Sequence, residues 1–400
     1  MKKVLYIATA FPRFEGDIIT PWLLEAVRRI KERGLDVEVF TSSYKGLTNQ
    51  VLYGIKIYRF RYFFKRFETL THEETAVDRV KKGLLYKLLV IFYLIFGTIA
   101  IIRLTRKRKY DVIHTHWPLP HAIFGYFASK YSHARHILYF HGVELMWVRK
   151  ELKLLRPFLK WAIRKADAVI CNSSHTKARI KDLYDRDVFI IPSGQAAMTG
   201  TNVFLNQSRY RKVPNYVLFV GRLVERKGVK YLLEAFAQIA NRYPIRLKIV
   251  GEGPELSNLV AIAKEKNIIE RVDFLGKVNQ QELNYYYQNA TIFVLPAVVD
   301  SKGDTEGLGV VLIEALAYKL PVVASKVGGI VDIIKDRETG LLVPEKDSNA
   351  LANAIMTLLE NPDYARELAE KGYNYVNEKY NWDRIIDQLI NVFCGCTKRL

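Results

Sequence analysis

Residues 216–228 read Tyr-Val-Leu-Phe-Val-Gly-Arg-Leu-Val-Glu-Arg-Lys-Gly, and their pattern decides the architecture. Five consecutive apolar side chains are too few for a helix, and they do not alternate as a strand with one wet face would. They describe a strand covered on both sides, as parallel sheets require. Gly221-Arg222 ends it, and a helical period follows near Tyr231–Tyr243. RLKIVGEG, a helix near Glu255–Lys266, VDFLG, TIFVLPA, LPVVAS and GLLVP continue the alternation. Strands separated by helices in this order form βαβ units.

The same rhythm runs upstream through VLYIAT, a helix near Trp22–Arg33, LDVEVFTS, YDVIHTH, HILYFHG and DAVICNS. A polar, irregular stretch from about Ser193 to Pro214 interrupts it. The expected fold is therefore α/β with two Rossmann-like domains, 1–191 and 215–380, a linker at 192–214, and a terminal helix and tail at 381–400.

The chain has 400 residues, 50% hydrophobic and 26% charged, which excludes disordered and fibrous classes. Its formal charge of +20 lies almost wholly before Ile191, where 35 basic residues face 17 acidic ones. The first half therefore expects an anionic partner. No nucleic-acid motif accompanies the charge, so nucleic acid is not expected as that partner. Cys171, Cys394 and Cys396 are too few for a disulfide framework and fit a reducing, cytoplasmic compartment. Neither they nor the histidines show zinc-ligand spacing. The apolar run Val4–Ala8 is short and closely followed by Arg13, Glu15 and Asp17, which reads as a buried strand rather than a secretion signal.

Leu88–Ile102 carries no charge and approaches the roughly 20 residues that span a bilayer. A span here would put the first strands of one sheet across a membrane from the rest, so a helix buried or partly buried on the sheet is the expected form. A helix that also dips into a membrane surface is the alternative. Arg59, Arg61, Lys65 and Arg66 stand among aromatics in YRFRYFFKRF, and Arg103, Arg106, Lys107, Arg108 and Lys109 follow the apolar run. Basic, aromatic and apolar residues together suit an interfacial membrane patch; a solvated basic face is the plainer reading.

Chemistry concentrates in the second half. Glu306 and Glu314 stand eight apart, one in a Gly-rich loop and one on the helix expected after it. A loop carboxylate can accept bonds from hydroxyls of a ligand above the helix start, and one two turns inside can bind a second diol such as a ribose. The loop amides and the positive helix end suit a phosphate. Arg222 and Lys227 add cations at a strand end, where Gly221 and Gly228 permit close backbone approach.

Together these motifs resemble the retaining nucleotide-sugar glycosyltransferases of family four, which have the GT-B fold of two facing Rossmann-like domains. FPRFEGD, HTHWPLP, HGVEL, ADAVICNSSHTK, KIVGEGPEL, VDFLGKV, LPVVASKVGGIVDII and TGLLVP extend the resemblance over nearly the whole chain. It implies that Arg222 and Lys227 hold the donor diphosphate, that Glu314 binds the ribose and that Glu306 binds donor-sugar hydroxyls. His141 would lie near the donor sugar at the reacting face, and Gly16 would line the cleft. Gly221, Leu308, Gly309 and Val310 would border the diphosphate, while Gly276, Lys277 and Val278 would meet the base through backbone. The acceptor would be a saccharide or polyprenyl-linked sugar, taken at an anionic membrane surface on the cytoplasmic side, with no metal and no cofactor. Glu306 would not act as a covalent nucleophile of the glycosidase type. The terminal stretch YNWDRIIDQLINVF resembles the family's last helix, which crosses back onto the first domain.

Three places depart from the family. Pro192-Ser193-Gly194-Gln195-Ala196 replaces its usual interdomain segment, Glu144 in HGVEL stands where relatives often have Asp, and PAVVDSKGDTEG is a long acidic loop. Asp300 and Asp304 in that loop read as structural, with a ligand contact as the other possibility. Two competing functions remain open at this level: a nucleotide-sugar epimerase of the same fold, and a non-catalytic glycan-binding protein at a membrane surface.

Overall fold

The computed structural model describes residues 2–17, 19–72, 76–194 and 216–396. Most of the expected linker, from Gln195 to Pro214, lies outside the described residues. The chain forms two compact units, Met1–Ala197 with Trp382–Leu400, and Met198–Asn381.

The first unit contains β1 (Lys3–Ile7), β2 (Asp36–Ser42), β3 (Gln50–Leu52), β4 (Ile55–Phe60), β5 (Val112–His116), β6 (Arg135–Phe140), β7 (Ala168–Cys171) and β8 (Phe189–Ile190). They lie in the order β3-β4-β2-β1-β5-β6-β7-β8. All neighbours are parallel except β3 and β4; Val4 stands opposite Val37 on one side and Val112 on the other. Buried Val, Ile and Leu fill both faces of the central strands, because crossover helices leave neither face to water. The second unit orders β9 (Tyr216–Val220), β10 (Arg246–Val250), β11 (Val272–Gly276), β12 (Ile292–Leu295), β13 (Val322–Ser325) and β14 (Leu341–Val343) as β11-β10-β9-β12-β13-β14. Every residue of β9 is buried. In both sheets the strand order reverses beside the first strand, between β1 and β5 and between β9 and β12. The crevice outside the carboxyl ends of strands at such a reversal is where open α/β sheets bind ligands.

One expectation needs correction. The basic-aromatic stretch YRFRYFFKRF is not a surface patch throughout, because its first residues belong to β4. Arg59 is buried, and its guanidinium donates to the carbonyls of Phe11, Pro12 and Ser42. Arg61 donates to the buried Glu68 at 2.6 Å. Arg61, Lys65 and Arg66 are the cations of that stretch left exposed.

The apolar helix, Leu84–Lys107, is partly buried. Leu89, Tyr93, Gly97, Ile101 and Thr105 recur every four residues and form its buried face. There it packs on the helix Pro118–Ser132: Tyr93 Oη lies 2.8 Å from His121 Nε2, and a Cβ on Gly97 would come within 2.4 Å of the Phe124 ring. The opposite face is exposed. The helix is long and apolar enough to cross a bilayer. It nevertheless leaves β4 and returns to β5, which are joined through β2 and β1 in one sheet, so it does not span. Composition hid this asymmetry because the helix is apolar on both sides.

The last helix, Trp382–Cys394, belongs to the first unit and packs on the helix Pro21–Glu32. Trp382, Ile385, Ile386, Leu389, Val392 and Phe393 enter that unit's core. Arg33 fixes the register by pairing with Asp383 and Asp387.

Candidate functional site

The segment after β9 turns through a single helical turn, Glu225–Lys227, and closes at Gly228 with φ +67°. Only glycine fits there, since a Cβ would sit 1.8 Å from the Pro296 carbonyl that follows β12. Gly221 lies under the Lys227 side chain; a Cβ on it would stand 3.7 Å from Lys227 Nζ. Lys227 is thereby bent back over the strand end, and its ammonium lies 2.5 Å from Glu306 Oε2. Arg226 reaches the same oxygen at 3.3 Å and Asp304 at 3.7 Å. Burial alone would raise the Glu306 pKa, but Lys227, Arg226 and the Gly309 amide outweigh it and hold the carboxylate below its ordinary range. Glu306 is thus ionised and already paired with cations, which makes it a hydrogen-bond acceptor and a poor nucleophile.

Gly309, at φ +90°, starts the helix Val310–Ala317. Gly328 and Gly329 support this loop from below: a Cβ on either would strike the carbonyl of Glu306 or Gly307 at 2.0 or 2.2 Å. About one turn in, Glu314 Oε2 accepts the Tyr287 hydroxyl at 2.8 Å. Burial raises the Glu314 pKa, with Tyr287 and Lys227 opposing. Gly276 closes β11, and its carbonyl accepts Gly251 N–H at 2.8 Å, which places Gly276, Lys277 and Val278 beside the carboxyl end of β10. Arg222 is exposed and forms no ion pair among the described residues.

Of the expected residues, the second unit therefore brings Gly221, Lys227, Glu306, Leu308, Gly309, Val310 and Glu314 to one sheet end at the β9/β12 reversal. Asp300 and Asp304 have internal duties. Asp300 Oδ1 accepts the amides of Lys302 and Asp304, and the loop is pinned by Glu225 on Ser301 and by Glu345 on Val299. Arg226 and Tyr287 went unremarked in the sequence. Arg226 stands inside the quoted motif, but nothing in a run of Arg and Lys says which one turns inward. Tyr287 gives no local signal, because its partner is 27 residues away.

His141 and Gly16 lie in the first unit. Gly16, at φ +87°, donates its N–H to Tyr53 Oη at 2.9 Å. The loop it belongs to is held by Asp17, which pairs with Arg13 at 2.7 Å, and by Arg59 from below. His141 follows β6, stacks on Trp117 with ring centroids 4.4 Å apart, and has Nε2 3.1 Å from His116 Nδ1. Burial pushes its pKa down to about 3, so the imidazole is neutral at physiological pH. His114 and His116 are buried beneath it, also neutral.

Glu144 is fully buried at the start of the helix Val143–Lys150; its Oε1 accepts His141 N–H at 3.3 Å, while Oε2 has no partner among the described residues. Burial pushes its pKa from an ordinary 4.5 up to about 7, against the pull of nearby amides. A raised carboxyl pKa means that the folded state holds the proton more tightly. Its contribution is thus present below about pH 4.5 and lost as pH rises to about 7. Glu144→Gln is expected to unfold at a higher temperature than wild type at pH 8, with the difference closing toward pH 4. Equal melting temperatures at pH 8 would refute the burial of an ionisable carboxyl here.

Residues 22–195 match Glycosyltransferase Family 4 and residues 202–375 match Glycosyl transferases group 1. Two Rossmann-like sheets of this order, with these matches, define a glycosyltransferase of GT-B fold. The chain belongs to glycosyltransferase family four. It is 30% identical over 276 residues to a GDP-mannose-dependent alpha-(1-6)-phosphatidylinositol monomannoside mannosyltransferase of Mycolicibacterium smegmatis, covering 66% of this chain and 71% of that one. It is 23% identical over 309 residues to N-acetyl-alpha-D-glucosaminyl L-malate synthase of Bacillus anthracis, covering 72% and 75%. Among solved structures, sucrose-phosphate synthase from Thermosynechococcus elongatus superposes with a TM-score of 0.72 over 99% of both chains at 24% identity, a likeness of fold.

Proposed function

We propose that this glycosyltransferase moves a sugar, with retention of anomeric configuration, from a nucleoside diphosphate to a saccharide or lipid-linked acceptor during glycan assembly at a membrane surface. The observation that carries the reading is the cluster of Lys227, Arg226 and Glu306 over Gly221, beside the helix start at Gly309. Cleavage of a glycosyl–phosphate bond builds negative charge on the leaving diphosphate. Fixed cations and helix amides that face it lower the barrier. In the proposed complex Lys227 and Arg222 bind the diphosphate, Glu306 accepts sugar hydroxyls, Glu314 accepts the ribose, and the neutral His141 meets the donor sugar.

The ion pair of Lys227 with Glu306 keeps the carboxylate ionised until sugar hydroxyls replace part of it. That supports a binding rather than nucleophilic role for Glu306, and intact mass after donor incubation is expected to show no adduct. The mycobacterial relative is named for a phosphatidylinositol monomannoside acceptor. A lipid acceptor would suit the excess of basic residues before Ile191 and a site on the cytoplasmic face of a membrane.

The test is nucleotide release from UDP-, GDP- and ADP-sugars, with and without membrane lipid extract, comparing wild type and Glu314→Ala. Lipid-stimulated release from one donor, lost in the variant, is expected, and the product's anomeric configuration should match the donor's. No release and no donor binding would overturn catalysis in favour of a glycan-binding role. An inverted product would overturn retention alone.

A further inference from the structure

We infer that the helix Leu84–Lys107 docks in the interface of an anionic lipid bilayer, lying in the membrane plane with its exposed apolar stripe inserted. The inference rests on the membrane-surface part of the proposed function and names the element that makes the contact.

Leu84, Leu88, Ile91, Ile95 and Ile99 recur at spacings of three and four and share one face of the helix. All are exposed, Leu84 to 71% and Ile91 to 54%, and Leu85 and Phe96 widen the stripe. At 1.5 Å per residue it runs for about 22 Å. Single exposed leucines are ordinary on soluble proteins; a continuous stripe of this length marks an interaction surface. The helix cannot roll to hide it, because Tyr93 and Gly97 on the other face are committed to His121 and Phe124.

The surroundings select the partner. Phe92, beside the stripe, contacts Phe96 at 6.2 Å and Phe63 at 5.2 Å, and Phe63 contacts Phe64, which is 71% exposed. The segment after β4 thus extends the apolar surface with aromatic rings, which suit the headgroup boundary. Beyond Ile99 the same face continues as Arg103 and Arg106, with Lys107 beside them; Lys87 flanks the stripe, and Lys65 and Arg66 follow Phe64. All six are exposed, and the helix contains no carboxylate. An apolar stripe that passes into uncompensated cations matches acyl chains beneath anionic headgroups. A second copy of the chain would instead bring its own cations to the contact.

The test is co-sedimentation of the full chain with phosphatidylglycerol–phosphatidylcholine vesicles, and with phosphatidylcholine alone, at low salt and at about 1 M salt, where the screening length falls to about 3 Å. Wild type is expected to bind the anionic vesicles and to remain partly bound at high salt. The variant combining Leu88→Gln, Ile91→Gln, Ile95→Gln and Ile99→Gln, with helical content confirmed by circular dichroism, is expected to partition at least about tenfold more weakly and to be fully released by salt. A variant that retains the salt-resistant binding would overturn the docking assignment, because an apolar contact elsewhere would then hold the membrane; a wild type released fully by salt would overturn insertion of the stripe and leave a purely electrostatic membrane contact. Failure of wild type to bind any vesicle would overturn both. A dimer that these substitutions dissolve, in a protein that ignores vesicles, would assign the stripe to self-association and overturn the inference.

Discussion

Lys227→Ala is expected to lower turnover at least about a hundredfold, corresponding to about 3 kcal/mol of lost transition-state stabilisation. The size follows from position. Lys227 is buried, bent over Gly221 and within 2.5 Å of Glu306, so its charge acts where water screens it poorly. Its removal has a second consequence: Glu306 keeps only Arg226 and the Gly309 amide to offset burial, and its pKa rises. Activity of the variant should therefore fall further as pH drops, because protonation would disable the remaining acceptor. Arg222→Ala provides the complement. Arg222 is exposed and unpaired among the described residues, so its loss should spare stability and still slow donor cleavage. Steady-state donor turnover and melting temperature measured together separate the two effects. Near-wild-type turnover in both variants would refute the diphosphate assignment.

A chain ending at Tyr380 is expected to lose the folded first unit. The deletion strips Trp382, Ile385, Ile386, Leu389, Val392 and Phe393 from a core they share with Val27, Ile30 and Tyr6. At roughly 1.5–3 kcal/mol for each buried apolar side chain, the loss is on the order of 10 kcal/mol, comparable with the whole stability of a domain. It also exposes the helix Pro21–Glu32 and leaves Arg33 without Asp383 and Asp387. The second unit keeps its own core and should still melt cooperatively. Limited proteolysis with mass mapping is the check: rapid cleavage before residue 198 is expected, and an intact first unit would refute the packing.

The second half was legible because its signals are local. A buried parallel strand must be apolar on both faces, so β9 to β14 can each be read from a short run of sequence. Gly228, Gly309 and Gly328 likewise mark turns that tolerate no side chain. In the first half β3, β4 and β8 escaped notice: three and two residues carry too little period to read, and the end of β4 lies in the basic-aromatic stretch that reads as surface.

What local sequence could not reveal was direction. Arg59 sits among exposed cations in sequence, yet β4 turns it beneath the first loop, because the pleat alternates sides and the sheet order decides which side is covered. Arg226 and Lys227 are neighbours of the same charge, and only the close approach of Gly228 to Pro296 aims both at Glu306. Leu84–Lys107 declares itself a helix and apolar, but which stripe is buried depends on where Phe124 and His121 stand in another helix. Composition and period thus determined the two Rossmann-like units and the residues that bear charge at their strand ends. Tertiary packing alone decided which of those charges meet and which apolar face stays outside, since both depend on neighbours distant in the chain.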